Sequence, residues 1–201
     1  ITLVATPFAG FEVEEWSDNC QAVRTSSSAS GPRTCKIKLE KNETVTVAFK
    51  VRTKTLQVEI DGEDRGRVFA EGGVISCRAT NAASNKCEAT LNYGRRLHLF
   101  AEADPGYRIQ EWAGDCIGQA SCGITLTQDR KVSVSFVEDL VAIKVAKTGE
   151  GQGSIISNPA AIDSGSNCET SVLRGQALSL SATPQEGSVF TGWSGACAGT
   201  G

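Results

Sequence analysis

Residues 107–136 read YRIQEWAGDCIGQASCGITLTQDRKVSVSF. The stretch holds Trp112, two cysteines six apart (Cys116 and Cys122), a polar turn, and a V-x-V-x-F alternation that ends at Phe136. It recurs, altered, near both ends of the chain. Trp16, Trp112 and Trp193 lie 96 and 81 residues apart, and so do Gly10, Gly106 and Gly187, and Cys20, Cys116 and Cys197. A second set of landmarks runs at 87. It carries Cys35 onto Cys122, Ile37 onto Ile124, Leu39 onto Leu126, and Val45, Val47 and Phe49 onto Val132, Val134 and Phe136. Gly62, Gly66 and Val68 fall on Gly149, Gly153 and Ile155 at the same offset. Self-similarity at a fixed spacing marks a repeat architecture. The offsets differ only where loops change length: the Cys20–Cys35 loop is nine residues longer than Cys116–Cys122, and the loop holding Cys77 is six longer than its counterpart near Ser164.

The spacing divides the chain into the C-terminal part of a first repeat (1–49), a polar connector (50–54), a complete second repeat (55–136), a second connector (137–141) and the N-terminal part of a third repeat (142–201). Neither connector holds Pro or a Gly/Ser run, so neighbouring units are expected in a defined orientation, as a rod rather than beads on a string. Within the complete repeat, Leu56–Ile60 and Gly66–Ala70 read as a hairpin around Asp61-Gly-Glu-Asp64. Glu88–Tyr93, Arg95–Ala103, the Trp112 strand and a closing hairpin follow. Seven short strands without a helical period predict an all-β fold of small antiparallel units, sandwich or β-grasp-like. In Phe11–Trp16, Phe11, Val13 and Glu15 share one side, so a bulge or the strand end must turn Trp16 inward.

Composition bounds the function. The net charge is −3 with mixed signs and no basic stripe, which argues against nucleic acid. No apolar run is long enough to span a membrane. Eight cysteines suit a secreted protein in an oxidising compartment, extracellular or at the cell surface. Their spacings lack the short double pairs of a zinc site, so Cys20 and Cys35, Cys77 and Cys87, and Cys116 and Cys122 are expected to bound disulfide loops. A chain that opens at Ile1 and contains no Met is expected to be a processed or excised piece of something longer.

No set of residues converges on a reaction, and no cofactor is implied. His98, the single histidine, alternates onto the polar side of Leu97-His-Leu-Phe100, with no G-x-S-x-G motif to serve. The Asp61–Asp64 carboxylates could suggest calcium, but the third copy reads Thr148-Gly-Glu-Gly151, which favours a plain glycine turn. Glu14 and Glu15 are adjacent and project to opposite sides of a strand, so they are no acid/base pair. Trp16, Trp112 and Trp193, with Phe49 and Phe136, are expected in the core, because a small unit has few large side chains with which to fill it.

The pattern G-x-G-x-[VI], a Cys-bearing loop, G-x-x-[LV]-x-L-x-A-x-P, W-[SA]-G-x-C and a closing V-x-V-x-F resembles the divergent Internalin-B-type B-repeat. It is carried by Gly153-Ser-Ile155, Gly175–Pro184 and Trp193-Ser-Gly-Ala-Cys197, and by Gly94–Ala101 and Trp112-Ala-Gly-Asp-Cys116. The resemblance implies an extracellular or surface module of bacterial multi-repeat proteins. Two departures stand out. Asp18 replaces the glycine of W-x-G-x-C in the first copy, and Ser164 replaces a loop cysteine in the third, which leaves the pairing of Cys168 and Cys197 open. The expected role is a non-enzymatic stalk, spacer or filament-forming scaffold, whose partners are neighbouring repeats or copies of the same chain. Half-built units at both ends would expose sheet edges, so either the piece was cut from a longer chain or other chains cover them. The alternative is an adhesin-type module for glycan or a surface protein, with Tyr107, Phe100 and Phe69 as the aromatics to inspect.

Overall fold

A computed structural model describes residues 1–24, 33–62, 65–79, 85–118, 121–165 and 168–197. The Ser-rich Thr25–Gly31 loop and the carboxylates Glu63 and Asp64 lie outside them. Seventeen strands alternate with turns, and among the described residues there is no α-helix. The first repeat holds β1 (Thr2–Ala5), β2 (Phe11–Trp16), β3 (Gln21–Arg24), β4 (Arg33–Lys36) and β5 (Val47–Val51). The second holds β6 (Thr53–Asp61), β7 (Gly66–Ala70), β8 (Ser76–Cys77), β9 (Glu88–Asn92), β10 (Arg96–Ala103), β11 (Tyr107–Gly114), β12 (Cys122–Thr125) and β13 (Arg130–Glu138). The third holds β14 (Leu140–Lys144), β15 (Gly153–Asn158), β16 (Glu169–Leu173) and β17 (Ser179–Pro184). By contacts the chain divides into two compact units, residues 1–102 with 109–135, and 103–108 with 136–201.

The second repeat is built from two four-stranded sheets, ordered β12-β10-β7-β8 and β11-β13-β6-β9. Each buries alternate residues, as a sheet with one covered face does. Leu56, Val58, Val132 and Val134 come from one sheet, and Val68, Leu97, Leu99 and Ile124 from the other. The expected hairpins do not form. Strand β6 lies in one sheet and β7 in the other, and β12 and β13 are divided in the same way. Each short turn therefore carries the chain from sheet to sheet. Nor is the unit antiparallel throughout: β13 runs parallel to β6, with Val132 opposite Val58 and Val134 opposite Ile60.

Strand pairings reproduce the sequence offsets residue for residue. Leu3 faces Cys35 as Leu99 faces Cys122. Leu140 faces Leu173 as Thr53 faces Asn92. Repetition in sequence is thus repetition of register, which a strand with one buried face specifies strongly. The anticipated bulge is present: pairing of β2 with β5 shifts between Val13 and Glu15 and sets Trp16 opposite Val47. In β11 both Gln110 and Glu111 are exposed, and Trp112 follows buried. The expected connectors are 50–54 and 137–141. Strand runs through both, broken only at Arg52 and Asp139.

Candidate functional site

Two features recur with the repeat: a Trp corner, stapled by a disulfide in the first and second repeats, and a backbone relay at Arg52 and Asp139. Disulfides join Cys20 to Cys35, Cys77 to Cys87, and Cys116 to Cys122. Cys122 and Cys35 are buried on the sheet strands β12 and β4, so each bond ties a loop to a core position. Beside them, Trp112 is 2% exposed, whereas Trp16 and Trp193 are half-buried. Trp193 meets Phe190 edge to face at 5.2 Å. The indole N–H groups of Trp16 and Trp112 are buried without a hydrogen-bond partner. Phe136 is buried, but Phe49 is 46% exposed, against the expectation of a core residue. The reason is the sheet. Strand β13 has β11 on one side and β6 on the other, while β5 pairs only with β2.

Below Trp112, the Asp115 carboxylate accepts from the Arg130 guanidinium (2.8 Å) and from the Lys131 backbone N–H (2.9 Å). These bonds, the backbone one foremost, hold its pKa below the ordinary 3.8. The first repeat has Asn19 at this position and Glu43 in place of Arg130. There the polarity is reversed: Asn19 donates to the Glu43 carboxylate (3.0 Å) and to the Thr44 carbonyl (3.1 Å). Gly114 sits at φ +77°, and a Cβ there would lie 2.5 Å from the Lys131 carbonyl oxygen. Asp18, its counterpart, has no such φ, since among the described residues only glycines do. The backbone at Asp18 therefore takes a different path from that at Gly114.

The junctions are built on Arg52 and Asp139. Arg52 N–H donates to the Gly10 carbonyl and Tyr93 N–H donates to the Arg52 carbonyl, both at 2.8 Å. In the other unit, Asp139 N–H donates to the Gly106 carbonyl (2.8 Å) and Arg174 N–H to the Asp139 carbonyl (2.7 Å). Residues 10, 52 and 93 map to 106, 139 and 174 at the three offsets 96, 87 and 81. The backbone relay is the same and the side chains are not. The Arg52 guanidinium lies 5.5 Å from the centre of the Tyr93 ring, whereas Asp139 and Arg174 form an ion pair at 2.6 Å. That carboxylate raises the Arg174 pKa further. A Cβ on Gly10 would meet the Tyr93 ring at 2.9 Å and one on Gly106 would meet Leu173 at 3.2 Å, both at positive φ. The turn of one repeat therefore packs against the end of β9 or of β16 in the next, and only glycine fits.

In the third repeat, Ser164 occupies the place of Cys77 and is 4% exposed. Its hydroxyl accepts from Ile155 N–H at 2.8 Å. Cys168 and Cys197 are free thiols. A cavity of about 400 Å³ opens beside Cys197, lined by Ile143, Val145, Ile155, Leu180, Phe190 and Trp193. Among the aromatics singled out for binding, Phe69 and Phe100 stack on each other at 5.6 Å, with the Arg67 guanidinium over Phe69 at 5.2 Å. Arg67 also pairs with Glu102, and His98 lies 6.4 Å from Phe100. Tyr107 belongs to the other unit. Among the described residues no three His, Cys, Asp or Glu side chains gather as a metal site, and no helix is long and apolar enough to cross a membrane.

These features define a class: an all-β, disulfide-stapled repeat module. The chain belongs to the divergent InlB B-repeat domain family, whose model matches residues 1–53, 71–139 and 143–200. No curated protein matches the chain. Among solved structures, "The Bacillus anthracis TIE protein" aligns with 11% identity and a TM-score of 0.27, over 84% of this chain and 34% of that one, so the chain spans about a third of its length.

Proposed function

We propose that this chain is a non-enzymatic structural segment of a secreted or surface-anchored bacterial protein, in which stapled β units act as a spacer. The observation that carries the reading is the junction. Two successive joints use the same backbone relay and a tip glycine in contact with the next repeat, with a cation–π pair in one and an ion pair in the other. A device kept in geometry while its side chains change is what a repeat array held by nearest-neighbour contacts requires. Three disulfides favour an oxidising location outside the cytosol. Among the described residues, the displaced pKa values of Asp115 and Arg174 are accounted for by local hydrogen bonds, from Lys131 N–H and Arg130 to Asp115 and from Arg174 to Asp139, rather than by a pocket.

The test is ¹⁵N relaxation on dilute, monomeric protein. A spacer predicts one common, anisotropic tumbling time for the second and third repeats. Repeats that tumble independently would refute it. A second reading, a binding module, is favoured by the Phe69–Phe100 stack on the outer side of its sheet, where aromatic rings can pack on sugar faces. Retention on a glycan array that is lost in Phe100→Ala would establish it.

A further inference from the structure

Of the seven asparagines in the chain, Asn42 alone is followed by a non-proline residue and then by Ser or Thr. Asn42-Glu43-Thr44 is the pattern at which an exported chain accepts an N-linked glycan. Glu40 stands two residues ahead of the acceptor, so the segment reads E-x-N-x-T. The chain bends at Glu40 and Lys41, between β4 and β5, and Asn42 is exposed just beyond the bend. The Glu40 side chain is 71% exposed. Asn19 holds the two residues that follow the acceptor, donating to the Glu43 carboxylate and to the Thr44 carbonyl. Thr44 is thus tied through its backbone, and its hydroxyl, the group a glycosyl transferase reads, belongs to an exposed residue.

The second repeat shows how this position sits when the sheet beside it is complete. At the offset of 87, Asn42 falls on Asp129, in a turn between β12 and β13 whose residues 127–129 are exposed. The Asp129 side chain is 70% exposed even though its Oδ1 accepts from Thr55 N–H at 2.9 Å and lies 3.8 Å from Lys54 Nζ. Exposure here therefore belongs to the turn and survives the presence of the neighbouring strand. An asparagine in that geometry accepts through Oδ1 and still presents Nδ2, the atom that carries a glycan, to solvent. The second repeat has Asp129 and Lys131 where the first has Asn42 and Thr44, so the fold itself does not demand the pattern.

We propose that Asn42 is a glycan-attachment site of the folded chain, taking an oligosaccharide from a polyprenyl-diphosphate carrier. In the transfer, Nδ2 bonds to C1 of the first sugar as the C1–O bond to the diphosphate breaks. The lipid diphosphate leaves with the electron pair, and the amide gives one proton to a carboxylate of the transferase. A surface turn between strands accommodates the added bulk. The inference uses only the exported location from the reading above and not the spacer role, so the two fail separately.

The experiment incubates the full chain, folded and with its disulfides formed, with a purified bacterial oligosaccharyltransferase that takes acidic sequons and a polyprenyl-diphosphate oligosaccharide. A reduced, denatured sample is run beside it, and mass spectrometry reads the intact chain and the peptide holding Asn42. Expected is one glycan per folded chain, on Asn42, lost in Asn42→Gln and in Thr44→Val and kept in Thr44→Ser. Modification of the denatured chain alone overturns the proposal. So does a failure to modify either sample, or a glycan that persists in Asn42→Gln.

Discussion

The ion pair of the second repeat is replaced in the first by an amide–carboxylate hydrogen bond of reversed polarity, and this can be tested by transplanting one into the other. Asp115 and Arg130 of the second repeat correspond to Asn19 and Glu43 of the first. Hydrogen bonds to a charged partner contribute about 1.5–3 kcal/mol when buried. The Asp115 and Arg130 side chains are 28% and 26% exposed, so solvent screening reduces this to about 1–2 kcal/mol. Asp115→Asn keeps an acceptor for Lys131 N–H but turns an amide N–H toward a guanidinium, at an expected cost of about 1–1.5 kcal/mol at pH 7. Arg130→Glu sets two carboxylates face to face and costs about 1–2 kcal/mol. In the double variant the amide donates to the carboxylate, as Asn19 does to Glu43, so the cost falls below the sum by about 1 kcal/mol. Urea unfolding followed by Trp112 fluorescence, with Trp16 and Trp193 replaced by Phe, measures all four corners of the cycle. The sign of the pH dependence is fixed as well. The Asp115 pKa is lowered in the folded state, so its contribution is complete above the unfolded value near 3.8 and is lost as pH falls through the folded one. The cost of Asp115→Asn should therefore shrink below about pH 3.8. Additivity within about 0.5 kcal/mol, or a cost that does not change with acid, would refute the exchange argument.

Three further substitutions probe the repeat's packing. Trp112→Phe should cost much less than the roughly 3–5 kcal/mol expected of Trp112→Ala, because the indole N–H it removes has no partner; thermal unfolding compares them. Gly114→Ala forces a Cβ against the Lys131 carbonyl at positive φ and should cost about 2–4 kcal/mol by denaturant titration, whereas Asp18→Ala, at the matching site without that φ, should be near neutral. Ser164→Cys should pair with Cys168, so a thiol assay on unfolded protein counts one free thiol rather than three. Stability should change little, because closing so short a loop contributes about 2 kcal/mol while losing the Ser164 acceptor of Ile155 N–H costs a similar amount.

What was readable in the sequence, and what was not, divides along one physical line. Landmarks that need a particular atom were legible: glycines at positive φ, cysteines that bound loops, and the parity break that turns Trp16 inward at a bulge. The pairing partner of a strand was not, because alternation states which face is buried and says nothing of which sheet the strand joins. Leu56–Ile60 and Gly66–Ala70 alternate like a hairpin, yet each turns the chain into the opposite sheet, and no residue in the turn announces this. The parallel contact of β13 with β6 was hidden for the same reason, since its partners are 74 residues apart, as Arg130 and Leu56 show. Phe49 shows the consequence. Its residue type and phase match Phe136, and its exposure differs because burial belongs to the neighbouring strand and not to the side chain. Arg52 and Asp139 are the opposite case, in which the chain kept the backbone and let the residues go. A cation beside an aromatic ring and an anion beside a cation occupy one relay, so no residue pattern could have marked the junction in sequence. Only the shared offsets and the tip glycines did, and both are statements about backbone. An array held through its backbone can vary the side chains at its joints while keeping their geometry, and this is the property a spacer of many unequal copies would need.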